Sequence, residues 1–257
     1  ELPEIPDTAI IITPAETIPV LLRECGIKGI RHVVIESGGF SEFSKGAGAL
    51  EKEVLEIAAD FGIKIIGPNC IGTINFEINM MMPFVFFSKD FTVGNVSVIS
   101  QSGGVGNTFL HALPDNHIYL NKFVAVGNKL QLDEVDFLTY YLSDPGTSAI
   151  VAYLEGFSRG RDFFECAMTA EKPIIVQKSN RSAASARIAQ SHTTALSSGD
   201  DIVDAAFKQA AVIRVEDEEE LVSAAKIMQL PPMRGRRVAV LSRSGGHAVI
   251  SADACDK

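Results

Sequence analysis

The chain has no tryptophan, four tyrosines and four cysteines in 257 residues. Cys25, Cys70, Cys166 and Cys255 are scattered, with no CxxC pair and no His/Cys ligand spacing. That layout argues against a metal site or a disulfide framework and for a reducing compartment. No apolar run reaches the roughly 18 residues a membrane-spanning helix needs. The opening ELPEIPDT also lacks the charged-then-apolar layout of a signal peptide, so a cytoplasmic protein is expected, with no membrane partner. Lys/Arg runs are missing too, and the formal net charge of −9 disfavours a nucleic-acid backbone as partner. No G-x-S-x-G elbow is present, which weakens a Ser/His/Asp hydrolase reading. No GxGxxG followed by a strand-end acid opens any unit, which removes a dinucleotide-binding reductase.

What is present is an ordinary globular composition, 46% hydrophobic and 21% charged. Short apolar runs alternate with amphipathic stretches. AIIIT (9–13), a helix from 19 to 26, HVVIESGG (32–39), a helix over 47–61 and KIIGPNC (64–70) read as βαβαβ, a parallel sheet covered by helices. A second α/β unit starts with VSVIS at 96 and continues through KFVAVG, AIVAYLEG and PIIVQK, each followed or preceded by a helical stretch. A third begins near 238, because VSVISQSGGVG (96–106) and VAVLSRSGGHA (238–248) share the pattern of apolar strand, Ser, any residue, Ser, Gly, Gly. The chain starts without a methionine and without the first strand and Gly-rich turn of a complete βαβ domain, so it is read as a piece of something longer.

Two features can carry chemistry. A strand ending in Ser100-Gln101-Ser102-Gly103-Gly104 and running into a helix makes an anion site: glycines let the backbone approach, amides point outward, and the helix dipole favours negative charge. The dipole alone contributes about 0.3–1 kcal/mol, so partners are needed. The plainer reading of the same turn is close helix–sheet packing, and the motif leaves both open. The second feature is the segment Ser179 to Gly199, SNRSAASARIAQSHTTALSSG, a long polar connection between a strand and a helix that carries His192. Structureless connections beyond roughly 12–15 residues are uncommon in compact domains and are usually functional or disordered. Glu155 closes AIVAYL ahead of Gly156 and so stands at a strand's C-terminal end, in the expected ligand crevice. A carboxylate there can accept one imidazole N–H and leave the other ring nitrogen as nucleophile; it can equally be a solvated strand-end acid.

The segments IIGPNCIGTIN (65–75), SVISQSGGVG (97–106), SDPGTSAIVAYLEG (143–156), KPIIVQKSNRSAASARIAQSHTTAL (172–196) and DDIVDAAFKQAAVIRVEDEEEL (200–221) together resemble the NDP-forming acyl-CoA synthetases, of the ADP-forming acetyl-CoA synthetase type, homologous to the succinyl-CoA synthetase α subunit. The resemblance runs over nearly the whole chain. It implies a partial Rossmann-like CoA-binding domain (1–90), a flavodoxin-like succinyl-CoA ligase domain (91–232) with its phosphohistidine loop at 179–199, and the start of a further α/β ligase domain (233–257). It implies that His192 carries a phosphoryl group, that Glu155 holds its imidazole, and that Ser102, Gly103 and Gly104 receive the phosphoryl group. It also implies that the histidine loop travels between the CoA site and a nucleotide site. Ile35, Glu36 and Ser37, with Asn69 of the Gly67-Pro68-Asn69 turn, resemble the part of the family that faces coenzyme A. ATP/ADP and Mg2+ would be bound by an ATP-grasp domain or subunit outside this chain, within an oligomer, so the chain alone is not expected to turn over.

Departures matter as well. Thr194 stands where the family has glycine after Ser191-His192-Thr193, and Thr resists backbone shapes that Gly permits. Asn107 replaces an aromatic residue of the succinyl enzyme, so succinate is not the expected acyl group. An alternative from another class is a regulatory acyl-CoA-sensing module, like the synthetase-like portion of some protein lysine acetyltransferases. Such portions have typically lost the histidine, whereas His192 and Glu155 are retained here.

Overall fold

The computed structural model describes residues 3–41, 48–85, 92–182, 185, 199–231 and 235–256. β1 (Thr8–Ile11), β2 (His32–Ile35) and β3 (Lys64–Ile66) form a three-stranded parallel sheet in that order, connected by α1 (Ile18–Lys28) and α2 (Gly48–Phe61). Gly29, in the left-handed region at φ 99°, closes α1 by donating its N–H to Cys25 O and Gly26 O. A Cβ on Gly26 would sit 2.3 Å from the Phe61 ring, so glycine is what lets α1 and α2 touch. Ile18 and Leu22 of α1, Val54 and Ile57 of α2, and Val33, Ile35 and Ile65 of the strands make one buried core. Each such side chain contributes about 1.5–3 kcal/mol of burial.

The strand expected over 64–70 ends at Ile66. Gly67 turns the chain at φ 94° and Pro68, lacking an N–H, cannot extend the ladder. Beyond this turn lies a hairpin that the apolar pattern does not reveal: β4 (Gly72–Asn75) and β5 (Met80–Pro83), antiparallel, joined by a turn in which Asn75 Oδ1 accepts from Glu77 N. By hydrogen bonding this hairpin belongs to the second sheet, where β4 runs antiparallel to the strand Leu120–Ala125.

That second sheet has seven strands in the order β10-β9-β8-β6-β7-β4-β5. Its parallel part is β6 (Val96–Ser100), β7 (Leu120–Ala125), β8 (Ala149–Leu154), β9 (Ile174–Lys178) and β10 (Ile213–Val215). The helices are α3 (Gly103–Asp115), α4 (Glu134–Ser143), α5 (Gly160–Met168), α6 (Asp200–Gln209) and α7 (Glu218–Met228). Alternation along each strand sorts the helices onto two faces. Val98, Phe123, Val151 and Ile175 pack with Phe109, Leu110 and Leu113 of α3 and Leu221 of α7. Ile99, Val124, Ile150 and Val176 pack with Leu138 of α4, Phe163 of α5 and Phe207 of α6 on the other face. The expected α/β class and the doubly covered parallel sheet are thus observed.

The third repeat differs from expectation. Residues 238–242 are not a strand, and Val238 and Leu241 are exposed, because no described segment pairs with them and a strand exists only through its neighbours. Its turn and helix α8 (Gly245–Cys255) nevertheless copy the earlier ones. Ser242 Oγ donates to Ser244 O at 2.9 Å as Ser100 Oγ donates to Ser102 O at 2.7 Å, and Ser244 and Ser102 each cap the N-terminus of the adjoining helix.

Candidate active site

The carboxyl edge of the seven-stranded sheet is assembled by register. Ser100 pairs with Tyr153 and Leu154 with Lys178, so the residues just beyond β6, β8 and β9 stand side by side. These are Gln101-Ser102, Glu155-Gly156 and Ser179-Asn180. Neighbouring strands lie about 4.8 Å apart, so Ser102 and Glu155 follow adjacent strand ends. Ser102 is the N-cap of α3: it is extended, and its Oγ accepts from Val105 N at 3.4 Å. The amides of Gly103 and Gly104 precede any intrahelical acceptor.

The two glycines differ in why they are small. A Cβ on Gly103 would come within 2.6 Å of Ile71 Cγ2, so Gly103 serves packing. A Cβ on Gly104 would meet nothing nearer than Ser102 Oγ at 3.9 Å, so the protein itself does not require glycine there. One turn further, Asn107 Oδ1 is buried without a hydrogen-bond partner.

The Glu155 turn is held by side chains from three directions. Gln101 Oε1 accepts from Glu155 N at 2.9 Å and from Gly156 N at 3.3 Å. Lys178 Nζ donates to Glu155 O at 2.9 Å, and Asn180 Nδ2 donates to the same oxygen at 3.3 Å. Lys129 Nζ donates to Gly156 O at 2.8 Å and pairs with the fully buried Glu134, whose Oε1 also accepts from Ser158 N. Burial lowers the Lys178 ammonium to about 8, with Asp200 opposing and Arg214 reinforcing the shift. Asp200, at the start of α6, is paired with Arg214 at 2.6 Å and Arg181 at 3.6 Å. Sequence reasoning does not single out Lys178, Lys129 or Gln101 for this role. The signal for Lys178 is its position closing the apolar run PIIVQK.

The CoA-facing candidates lie at the carboxyl edge of the smaller sheet. Asn69 N donates to Ser37 O at 2.9 Å, and Asn69 Nδ2 reaches Asn128 Oδ1 of the larger sheet's β7–α4 connection at 3.2 Å. Glu36 is half-buried, with Oε1 lacking a hydrogen-bond partner, and burial raises its carboxyl to about 7. Ile35 is different: its side chain is fully buried in the core, and its carbonyl accepts from Cys70 Sγ, whose thiol burial pushes up to about 12. No Ile35 side-chain atom is open to a ligand. The two groups of candidates are joined through consecutive residues, since Ile71 packs on Gly103 while Gly72 lies against Glu36 Oε1. His192 lies outside the described residues.

Two family models match this chain. A family model for the succinyl-CoA ligase-like flavodoxin domain matches residues 93–228, and one for a CoA-binding domain matches residues 1–75. The chain belongs to the NDP-forming acyl-CoA synthetase family, through its succinyl-CoA ligase-like flavodoxin domain. It is 39% identical over its full length to acetate–CoA ligase (ADP-forming) II subunit alpha of Pyrococcus furiosus, covering 56% of that protein. It is 40% identical to acetate–CoA ligase (ADP-forming) of Methanocaldococcus jannaschii over 97% of its own length and 35% of that protein's. Acetyl-coenzyme A synthetase 1 of Ca. Korarchaeum cryptofilum, solved with phosphate and ADP, superposes with a TM-score of 0.91 at 34% identity, over 98% of this chain and 55% of that one. The chain thus spans about half or less of the length of these relatives. Among the described residues, no helix is long and apolar enough to cross a membrane.

Proposed function

We propose that this chain is the CoA-binding and ligase part of an acid–thiol ligase that interconverts acyl-CoA, NDP and phosphate with acid, CoA and NTP. A phosphate oxygen attacks the thioester carbonyl carbon, the C–S bond breaks, and CoA leaves as the thiol with the proton released from phosphate. An imidazole nitrogen of His192 then attacks phosphorus, the P–O bond to the acyl oxygen breaks, and the free carboxylate leaves. The phosphoryl group finally passes from His192 to a terminal oxygen of the nucleoside diphosphate as the P–N bond breaks.

In this reading the outward amides and N-cap of Ser102, Gly103 and Gly104 receive the phosphoryl oxygens, where pre-set donors stabilise developing charge without reorganising. Glu155 accepts the second imidazole N–H, which fixes the tautomer and stabilises the cation formed on phosphorylation. Glu36, Ser37 and Asn69 face coenzyme A; Ile35, having no exposed side chain, is dropped from that set. Nucleotide and Mg2+ belong to an ATP-grasp domain or subunit that associates with this one, and the whole is cytoplasmic. The units run over 1–90, 91–232 and 233–257, with the β4–β5 hairpin of the first unit adding two strands to the sheet of the second.

The observation that supports the reading is the β6–β8 register, Ser100 opposite Tyr153, by which the N-terminus of α3 and Glu155 follow adjacent strand ends. Incubation of the full-length protein with γ-labelled ATP and magnesium is expected to leave an acid-labile, base-stable phosphate on the chain, lost in His192→Asn. Label that persists in that variant would reject His192 as carrier.

A further inference from the structure

We infer that Gln101 is a positioning residue that ties the Ser102 turn and the Glu155 turn into one unit, so that a single phosphoryl group stays within reach of both. The inference rests on the proposed roles of those two turns and adds what sets their spacing. The main chain of Gln101 extends the β6–β8 ladder by one rung, its N–H donating to Tyr153 O at 2.9 Å. Its side chain then crosses the end of β8, and Oε1 takes both the Glu155 and Gly156 amides. An amide oxygen has two lone pairs, and both are used here. Because both partners are N–H donors, the oxygen and not the NH2 must face them, so the orientation of the amide is dictated by its neighbours.

Lys178, Asn180 and Lys129 hold the carbonyl sides of the same turn, but only Gln101 among these holders is also part of the anion-binding turn. The next residue is the helix cap Ser102, whose carbonyl is fixed by Ser100 Oγ. Gln101 is 8% exposed, so water cannot readily replace its oxygen. With that oxygen removed, two largely buried amides lose their acceptor and the turn relaxes to find another. A displacement of about 1 Å at a reacting group costs on the order of 100-fold in rate.

The experiment uses the full-length protein with its ATP-grasp part and two labels. His192 is phosphorylated in single turnover either from acyl-CoA plus radiolabelled inorganic phosphate or from γ-labelled ATP with magnesium. Gln101→Met, which keeps length and removes the acceptor, is expected to slow the acyl-CoA route about 10- to 100-fold. The ATP route, which draws on the distant nucleotide site, stays within about 2-fold by the same reasoning. Should the Met variant fail to fold, Gln101→Asn, which withdraws the same oxygen by one methylene while keeping the amide, carries the same expectation. Equal slowing of both routes means general loosening and overturns the inference; so does an unchanged acyl-CoA route. Wild-type protein unlabelled by either donor overturns the phosphohistidine reading and this inference together, whereas labelled wild type with an unaffected variant overturns this inference alone.

Discussion

The buried pair Lys129–Glu134 offers the sharpest test of how the Glu155 turn is supported. Glu134 is fully buried, Lys129 nearly so, and their charged atoms approach to 2.9 Å. Oε2 has no hydrogen bond of good geometry, so the attraction there is chiefly that of opposite charges. Glu134→Gln keeps the shape and can still accept from Ser158 N through Oε1, but among the described residues it leaves the Lys129 ammonium buried with Gly156 O as its one hydrogen-bond acceptor. Breaking one side of a buried pair costs about 3–5 kcal/mol. The relatives are about twice this length or more, and in a larger protein about 1 kcal/mol moves the melting temperature less than roughly 2–4 °C, so the loss is read as free energy: about 3–5 kcal/mol of unfolding stability. Replacing both charges at once removes the uncompensated ion, and Lys129→Met with Glu134→Met should recover most of the loss. Calorimetric or denaturant unfolding of the full-length variants measures this. A Glu134→Gln cost below about 1 kcal/mol would refute the claim that Lys129 depends on Glu134, because a buried, unpaired ammonium cannot be that cheap.

Two further outcomes are expected. Gly104→Ala adds a Cβ that touches only Ser102 Oγ at 3.9 Å, so it should leave stability unchanged or raise it by up to about 1 kcal/mol. The same methyl obstructs a phosphoryl group on the turn and should raise the KM for phosphate at least about 10-fold; an unchanged KM would remove the turn from the phosphate site. Glu36 titrates with a raised folded value of about 7, so the unfolded chain releases this proton first, near 4.5, and stability falls as pH rises from about 4.5 to 7. Glu36→Gln, which stays neutral, should therefore gain on wild type between pH 5 and pH 8. The gain is at most about 3 kcal/mol from the shift itself and nearer 1 after solvent screening. A melting-temperature difference flat across that range would show that burial does not perturb Glu36.

Much of the fold could be read from apolar periodicity because its strands are buried on both faces. VSVIS, KFVAV, AIVAYL and PIIVQK are near-continuous apolar runs, as strands between two helical layers must be. The β4–β5 hairpin escapes for the opposite reason. GTIN and MMMP lie at the edge of the sheet, half covered, and carry too short an alternation to stand out from a loop. The repeat at 238–248 misleads in part: its turn and helix form from local capping by Ser244, but its strand depends on partners that no described residue supplies.

The site divides along the same line between local and long-range determination. Ser102, Gly103, Gly104 and Glu155 can be picked out as candidates because a helix start after a strand and an acid at a strand end are local patterns. The residues that aim them cannot be, since Gln101 meets Glu155 across 54 positions and Lys129 meets Gly156 across 27. Only the β6–β8–β9 order makes Gln101, Glu155 and Lys178 neighbours. Ile35 shows the converse: as a member of the IESGG edge it looks available to a ligand, yet β2 is buried on both faces and the Gly67 turn lies over its carbonyl, so its side chain is in the core. Glu36, one residue on, has passed the end of the strand, and its buried Oε1 lies against Gly72, the first residue of β4 in the larger sheet. Asn69 likewise bridges to the larger sheet's side through Asn128. The two sheets' candidate edges are thus joined by a single peptide, Ile71-Gly72, since Ile71 packs on Gly103 and Gly72 lies against Glu36 Oε1. Gly72→Ala is expected to disturb both edges, because its Cβ would fall 2.0 Å from Met82 O and 2.5 Å from Glu36 Oε1 at a backbone φ of +91°, and a full-length variant that melts no lower than wild type would refute that packing argument.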